Sequence, residues 1–368
     1  MSKPEPTKKS TRTTLADIAR ELKLSEATVS RALRGHSAIS EQTRGLVNHV
    51  ARDMGYVPNA AARSLVDQSS RTLGLIVPDM TDPLHGQIVA GFGRAANRRG
   101  YTVIMLEGAR DDTLRQRGLR TLIEHQAEGV AFCGAPVATR DAIRQVSSHL
   151  VFIMPEGHDA DMESDTPLGR LRSDDADGMR RVVEHLIALG RTRLSYVNGP
   201  DIASNRIRRN AVLRALETAG IEPRIREYMT GRTISGLADY DFVEIANLVA
   251  RERPDALVCY DDQIALHMLD ALRQTELTVP GDVAVTGFDG ISFAGLSNPR
   301  LTTVIQPAEQ LGQLAADALL RAIETGAPPD DVTLPVSLAI RGSTRRRTVE
   351  DPASNAAIDH GNGRPQSA

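Results

Sequence analysis

The N-terminal side chains with the clearest chemistry lie on one face of a short predicted helix. Glu26, Ala27, Ser30, Arg31 and Arg34 recur at helical spacing, opposite the apolar positions of the same stretch. An arginine can donate two hydrogen bonds to the edge of a guanine, and a glutamate can accept one from a cytosine. These residues are therefore candidates for reading bases in the major groove of DNA.

A second set of polar side chains follows apolar runs that are typical of buried strands, such as 72–78 and 256–260. The set consists of Asp79, Asp82, Arg208, Asp261, Asp289 and Gln306. Because ligands of open α/β sheets bind beyond the carboxyl ends of the strands, we expect these residues to contact a small molecule. An arginine with several carboxylates suits a sugar or a sugar acid. Asp262, beside this set, has an alternative role as the cap of the following helix.

The sequence contains no pattern that indicates a catalytic or metal centre. Its nine histidines are scattered, and no serine lies in a Gly-x-Ser-x-Gly context. The two cysteines, Cys133 and Cys259, each lie in an apolar run, so we expect neither a disulfide framework nor a metal site. A loose dinucleotide-binding pattern begins at Gly91, but it lies inside a helical stretch, where packing explains the glycines better. We expect no enzymatic activity and no cofactor.

Three helices are predicted to position the DNA-reading face. Thr14 with Asp17 can cap the first helix, Ser25 the second and Ser40 the third. The short break between the first two helices is typical of a helix-turn-helix motif. Helix N-termini also suit phosphates, so Thr14, Ser25 and Ser40 are further candidate DNA contacts. The alternative is an ordinary three-helix bundle whose arginines only form a solvated face.

Four successive segments resemble the lactose/galactose repressor family, the LacI family of bacterial transcriptional regulators. They read TLADIA, SEATVSRAL, ISEQTR and YVPNAAARSL. The resemblance implies that the last segment contains a hinge helix that contacts DNA through Asn59, Ala62 and Leu65. In that family a leucine of the hinge helix enters the minor groove between base steps, and Leu65 stands at its position.

Beyond Val66, strand-like runs alternate with helical stretches, which predicts parallel sheets with right-handed crossovers. The family resemblance implies a mixed fold. An all-α helix-turn-helix head would precede an α/β body of two Rossmann-like lobes, similar to periplasmic sugar-binding proteins. We expect the chain to cross between the lobes near Leu171, Asn298 and Asp331.

The resemblance also assigns the ligand site more closely, since Arg208 and Asp289 match the family's pocket arginine and pocket aspartate. Two departures bear on the ligand. The family usually has Asn-Pro-Phe where this chain has Asp82-Pro83-Leu84, so an aromatic stacking face is missing. Asp261 replaces the usual asparagine, and the extra carboxylate favours a polyol or a cationic group over an anion.

Charge and composition suggest the domain boundaries. Residues 1–66 carry 11 Lys and Arg against 6 Asp and Glu, a net charge of +5, so the whole chain's −3 leaves −8 for the remainder. The predicted domains are a flexible arm (1–12), a helix-turn-helix domain (13–57), a hinge helix and linker (58–70), a two-lobed ligand-binding and dimerisation domain (71–345), and a disordered tail (346–368). The sequence shows no signal peptide and no membrane span, so we expect a cytoplasmic protein.

Two classes of function are compatible with these features. The first is a ligand-responsive, sequence-specific transcriptional regulator, most often a repressor, that binds a pseudo-palindromic DNA operator as a homodimer. The second is a cytosolic sugar-binding protein without a DNA function, in which the N-terminal helices only mediate oligomerisation. The hinge segment favours the first class, because the second has no use for it.

Overall fold

The computed structural model describes residues 13–57, 69–108, 111–134, 149–154, 169–222, 226–229 and 239–345. The chain divides after Ser70 into an N-terminal unit, the head, and a larger unit from Arg71 onward, the body. The expected DNA contacts Asn59, Ala62 and Leu65 lie outside the described residues, as do the expected arm and tail. Those assignments stay predictions.

Three short helices form the head around a small apolar core. They are α1 (Leu15–Leu22), α2 (Glu26–Leu33) and α3 (Glu41–Asp53). Each contributes a fully buried side chain, Ile18, Val29 and Val47 respectively, as the helical spacing predicts. The apolar Leu46 of α3 is 50% exposed. It lies about 100° around the helix from Val47, which takes the inward position instead.

The N-terminal caps of the three head helices are the residues that the sequence predicts. The Thr14 hydroxyl accepts a hydrogen bond from the amide of Asp17, whose carboxylate accepts one from the Thr14 amide in return. Ser25 and Ser40 accept in the same way from amides three residues on. Gly55, with φ of 62°, follows the end of α3 in the left-handed conformation that favours glycine.

The first lobe of the body is built on a parallel six-stranded sheet. Its strands are β1 (Thr72–Val77), β2 (Thr102–Glu107), β3 (Gly129–Cys133), β4 (His149–Ile153), β5 (Gly169–Ser173) and β11 (Val332–Leu334). Their order is β11-β5-β4-β3-β1-β2, and every pair is parallel. The sheet packs against α4 (Pro83–Arg98), α5 (Asp112–Glu124) and α10 (Ala308–Thr325).

The second lobe repeats this architecture with one antiparallel edge. Its strands are β6 (Leu194–Asn198), β7 (Arg226–Met229), β8 (Ala256–Cys259), β9 (Ala284–Asp289), β10 (Thr302–Ile305) and β12 (Ser337–Ala339). They lie in the order β12-β10-β9-β8-β6-β7, and only β12 is antiparallel to its neighbour. The helices of this lobe are α6 (Asp175–Ala188), α7 (Ala203–Thr218), α8 (Asp239–Glu252) and α9 (Asp262–Leu272). The two sheets confirm the expected pair of Rossmann-like lobes.

The chain crosses between the lobes at three short segments. The first crossing is at Asp174, between β5 and α6, close to the expected Leu171. The second lies between β10 and α10, so the expectation of Asn298 was wrong, because β10 still belongs to the second sheet. The third lies between β11 and β12, a few residues after the expected Asp331.

Helices α4 and α10 of the first lobe approach each other closely through two glycines. A Cβ atom added to Gly91 would overlap the carbonyl oxygen of Glu309, and one added to Gly312 would overlap that of Ile88. The glycines of the loose dinucleotide pattern therefore do not share one role. Gly91 allows the helices to touch, whereas a Cβ at Gly93 would meet nothing within 4 Å.

The different surroundings of Gly91 and Gly93 predict that substitution by alanine has opposite effects on stability at the two positions. Gly91→Ala should destabilise the body by about 1–3 kcal/mol, since the backbone of α10 must move away. Gly93→Ala should stabilise it by up to about 1 kcal/mol, because alanine favours a helix interior. Urea denaturation of both variants beside the wild type measures the two changes. Equal midpoints for the two alanine variants would contradict the close approach.

Candidate functional site

A cavity of about 280 Å³ lies between the two lobes of the body. Four of the predicted ligand contacts line it, namely Asp82 from the first lobe and Arg208, Asp261 and Asp289 from the second. Small-molecule sites usually occupy about 300–1,000 Å³, so the cavity suits a ligand of modest size. The carboxyl ends of the strands converge there, as the sequence predicts.

Arg208 is the most constrained side chain of the cavity. It lies on α7 and is only 4% exposed. Its Nε donates to Asp175 Oδ2 at 2.8 Å, and its Nη1 donates to the carbonyl oxygen of Tyr260 at 2.9 Å. Asp289 Oδ1 lies 3.5 Å from the same Nη1. The predicted pocket arginine thus faces three acceptors.

Aromatic rings flank the same guanidinium. Its central carbon lies 3.7 Å from the ring centre of Phe288 and 4.8 Å from that of Tyr260. Burial disfavours the positive charge, but Asp175, Tyr260 and Asp289 outweigh burial and raise the pKa of Arg208 above its ordinary value. The arginine is therefore a fixed positive charge at the centre of the cleft.

Asp289 ends β9 with an unusual backbone, since its φ is 120°, a region that residues with a Cβ rarely adopt. Burial raises the pKa of its carboxyl well above the ordinary value; Arg208 opposes this shift, and the charges of Asp261 and Asp262 add to it. Gln306 Nε2 donates to Asp289 Oδ1 at 2.7 Å. Gln306 itself does not line the cavity, so it supports Asp289 from behind.

A ring of polar contacts, each within hydrogen-bond distance, connects these residues, and we call it the crossing ring. It consists of Arg208, Asp175, Ser173, Gln306 and Asp289. The Ser173 hydroxyl lies 2.7 Å from Asp175 Oδ1 and 2.5 Å from Gln306 Oε1, and its single proton serves one of them at a time. Ser173 and Asp175 flank the first crossing and Gln306 belongs to the second, so the ring joins two of the three crossings to the arginine.

Sequence reasoning missed Ser173, Asp174 and Asp175, although all three line the cavity. Ser173 ends β5, which reads Gly-Arg-Leu-Arg-Ser, and the two arginines conceal the strand character of this stretch. Its alternating burial, with the glycine, leucine and serine inside, is the signal that identifies it. An Asp-Asp pair follows that strand directly, and a second pair, at 261–262, lies one residue beyond the end of β8.

The predicted contact Asp79 lies outside the cavity lining. Its carboxylate accepts hydrogen bonds from the amide and hydroxyl of Thr81, while its carbonyl oxygen lies 2.8 Å from His85 Nδ1. His85 is buried and lines the cavity beside Asp82, which caps α4 through the amide of Leu84. Asp79 therefore orients a cavity residue, and His85 is a lining residue that the sequence did not reveal.

The sequence offered Asp262 as a possible cap of the helix α9, but its neighbour Asp261 takes that role. Asp261 is the cap, because its carboxylate accepts from the amide of Ile264. Asp262 is fully buried, with hydrogen bonds to the hydroxyl of Thr303 and the amide of Ile291. Burial raises the pKa of Asp262 to about 7, although these hydrogen bonds oppose the shift.

The head presents the predicted reading face of α2 to solvent. Glu26, Ala27, Arg31 and Arg34 are exposed, and Ser30 is half-buried. Within the part of the chain that the structure describes, Arg31 pairs with no carboxylate, so its guanidinium is available for a base or a phosphate. The exposed caps Thr14, Ser25 and Ser40 mark the N-termini of the three helices.

Comparisons with known proteins agree with this architecture. Residues 14–59 match the bacterial regulatory proteins of the lacI family, and residues 183–344 match the periplasmic binding protein-like domain. The ribose operon repressor of Escherichia coli (strain K12) is 29% identical over 315 residues, which cover 84% of this chain and 93% of the repressor. The transcriptional repressor CytR of the same strain is 28% identical over 340 residues, which cover 92% and 98%.

Among solved structures, the Lac repressor dimer bound to operator and the anti-inducer ONPF matches with a TM-score of 0.78 and 25% identity, covering 90% of this chain and 99% of that one. No helix among the described residues is both long and apolar enough to span a membrane. The fold and the sites define a helix-turn-helix protein with a two-lobed, periplasmic-binding-protein-like body. The chain combines a LacI-family helix-turn-helix domain with a periplasmic-binding-protein-like domain, and its homologues are LacI-family repressors.

The buried Asp262 makes a prediction about pH. Its pKa is about 7 in the folded protein, against an ordinary value of 3.8, so the folded state holds a proton that the unfolded chain releases. The resulting stabilisation is complete below about pH 4 and is lost as the pH rises through about 7. Asp262→Asn imitates the neutral acid. It should therefore gain about 2–4 kcal/mol relative to the wild type between about pH 4 and pH 8.

Urea denaturation across this pH range measures the effect. Asp201→Asn is the matched control, because Asp201 pairs with Arg206 at the exposed surface of the same lobe. A variant Asp262→Asn that keeps the pH slope of the wild type would show that the buried carboxyl is not the group that titrates.

Proposed function

We propose that the protein is a ligand-responsive, sequence-specific DNA-binding transcriptional regulator. It acts as a repressor whose operator affinity changes when a small sugar or sugar acid binds in the cleft. One observation carries the proposal: a single chain combines a head with an exposed reading helix and a body with an enclosed cleft around a buried arginine. A sugar-binding protein without a DNA function would not need the first of these.

On the DNA side, α2 offers side chains that can read base edges, and the helix caps offer groups that can meet phosphates. One recognition helix covers only a few base pairs, so specific binding requires two of them. A homodimer on a pseudo-palindromic operator provides both. The matched Lac repressor structure is a dimer bound to its operator, which supports this arrangement. The segment 58–70, with Asn59, Ala62 and Leu65, would add minor-groove contacts.

On the ligand side, the cleft supplies groups of the kind that hold polyhydroxy compounds. A guanidinium and several carboxylates converge in the cleft, where they can form hydrogen bonds with the hydroxyl groups of a ligand. The names of two matched proteins, the ribose operon repressor and a CelR–cellobiose complex, support a sugar as the ligand class. Asp82, Arg208, Asp261 and Asp289 are the proposed direct contacts, and Asp79 and Gln306 act behind them.

The crossing ring supports a route from the cleft to the rest of the chain. A ligand that contacts Arg208 or Asp289 shifts atoms that are hydrogen-bonded to two crossings, and the crossings set the angle between the lobes. A ligand that favours the DNA-competent angle is a corepressor, and one that disfavours it is an inducer. Allosteric coupling typically needs only about 1–3 kcal/mol of differential affinity.

The DNA function is tested with Arg31. Gel shifts of the wild type on genomic fragments at several salt concentrations should first identify the operator. Arg31→Ala should then weaken operator binding by about 1–3 kcal/mol and relax the preference at one base pair, since a bidentate contact to guanine is lost. Arg52→Ala on α3 is a matched control of equal charge, and it should leave base preference unchanged. An equal loss on every sequence would make Arg31 only a phosphate contact, and a chain that retards no fragment would refute the DNA function.

A further inference from the structure

We propose that the cleft selects against carboxylates, so that its effector is a polyol that is uncharged or carries a protonated amine. The inference rests on the proposed function of the cleft as an effector site. It narrows the ligand class of that proposed function, a sugar or a sugar acid, and extends to the whole cleft the preference against anions that Asp261 indicates in the sequence. Three features of the cleft support it: the hydrogen bonds of Arg208, the acceptors on the walls, and the balance of charge.

The guanidinium of Arg208 is not free to grip a carboxylate. A two-point grip needs two adjacent nitrogens, either Nε with Nη2 or Nη1 with Nη2. Nε already donates to Asp175, and Nη1 donates to the carbonyl oxygen of Tyr260 and faces Asp289. Among the described contacts none falls on Nη2, so the N–H groups left for a ligand lie on this one nitrogen and cannot form a two-nitrogen grip. One hydroxyl or carbonyl oxygen satisfies that geometry.

The walls of the cleft offer mostly acceptors. Asp82, Asp174 and Asp261 line it, and each caps a helix with its Oδ1 atom. His85 Nδ1 is held against the carbonyl oxygen of Asp79, which requires a proton on Nδ1 and makes Nε2 the acceptor of the neutral ring. Such walls pair with the hydroxyl or amine donors of a ligand, whereas a carboxylate brings only further acceptors.

The balance of charge points the same way. The lining holds five aspartates and two arginines: Asp82, Asp174, Asp175, Asp261 and Asp289 against Arg172 and Arg208. Burial favours the neutral form of Asp289, and without its charge four carboxylates still face two guanidiniums. The three capped helix N-termini add roughly half a positive charge each, which offsets only part of the excess. The surplus of carboxylates also helps to raise the pKa of Asp289. A ligand carboxylate would enter this enclosed space beside like charges, and like charges in contact are strongly unfavourable.

Matched ligand series test the inference. D-glucose, D-glucosamine and D-glucuronate share one ring and differ in charge, as do D-galactose, D-galactosamine and D-galacturonate. Thermal shift and calorimetry with the full-length wild type should show binding of the sugar or the amino sugar of at least one series. The corresponding acid should bind at least about ten-fold more weakly.

A substitution in the crossing ring should change this selectivity. Asp175→Ala removes one negative charge and releases Nε, so Arg208 can present Nε and Nη2 together. The variant should bind the acid at least about ten-fold more tightly than the wild type does. Asp175→Asn, which removes the charge and keeps the shape, serves if the alanine variant does not fold. Glu227→Gln is the matched control, since it breaks the ion pair of the neighbouring Arg209 outside the cleft.

The outcomes separate the two proposals. Binding of an acid by the wild type as tightly as the matching sugar would overturn the charge selectivity and leave the effector function intact. Binding of the acid that is no tighter in Asp175→Ala and Asp175→Asn than in the wild type would also overturn it. If no member of either series binds the wild type or the variants, the sugar-binding function fails and the selectivity fails with it.

Discussion

The cleft depends on one constraint, the burial of the Arg208 guanidinium away from water. Desolvating an ion costs several kcal/mol, so such a charge persists only where surrounding groups compensate it. The compensation comes from Asp175 after β5, the Tyr260 carbonyl after β8 and Asp289 at the end of β9. Parallel strands bring these ends together, and the sheet topology therefore makes the electrostatics possible.

Arg209, which follows Arg208 in the sequence, shows how an arginine behaves when it is not fully buried. Arg209 pairs with Glu227 at a site where both side chains are about one-third exposed, so solvent screens the pair and it contributes little to stability. Arg208 points into the cleft instead, and its partners extend to two crossings through Ser173 and Gln306. A change at Arg208 is thus a change at the segments that set the lobe angle, which is what the proposed allosteric function requires.

Part of this structure could be predicted from the sequence, because it depends on interactions between residues that are close in the chain. The hydroxyl caps of the head, the buried strands and the positions of Arg208 and Asp289 follow from short-range patterns and from one specific resemblance. The crossings, the role of Asp175 and the buried state of Asp262 do not, because each depends on residues that are distant in sequence. Asp262 accepts a hydrogen bond from Thr303, which lies 41 positions away in the sequence. From the sequence alone, Asp262 is as plausible a helix cap as Asp261, and only the folded structure shows that Asp261 is the cap. The conformation of 58–70 stays a prediction.

The central claim is that the crossing ring carries the effect of the ligand, and Ser173→Ala tests it most directly. This substitution removes the bridge between Asp175 and Gln306 and keeps the contacts of Arg208 with Asp175, Tyr260 and Asp289. Operator affinity is measured with and without the bound sugar, together with the affinity for that sugar. We predict that the sugar binds within about three-fold of wild type while its effect on operator affinity falls at least about ten-fold. A normal effect of the sugar on operator affinity in Ser173→Ala would contradict the claim.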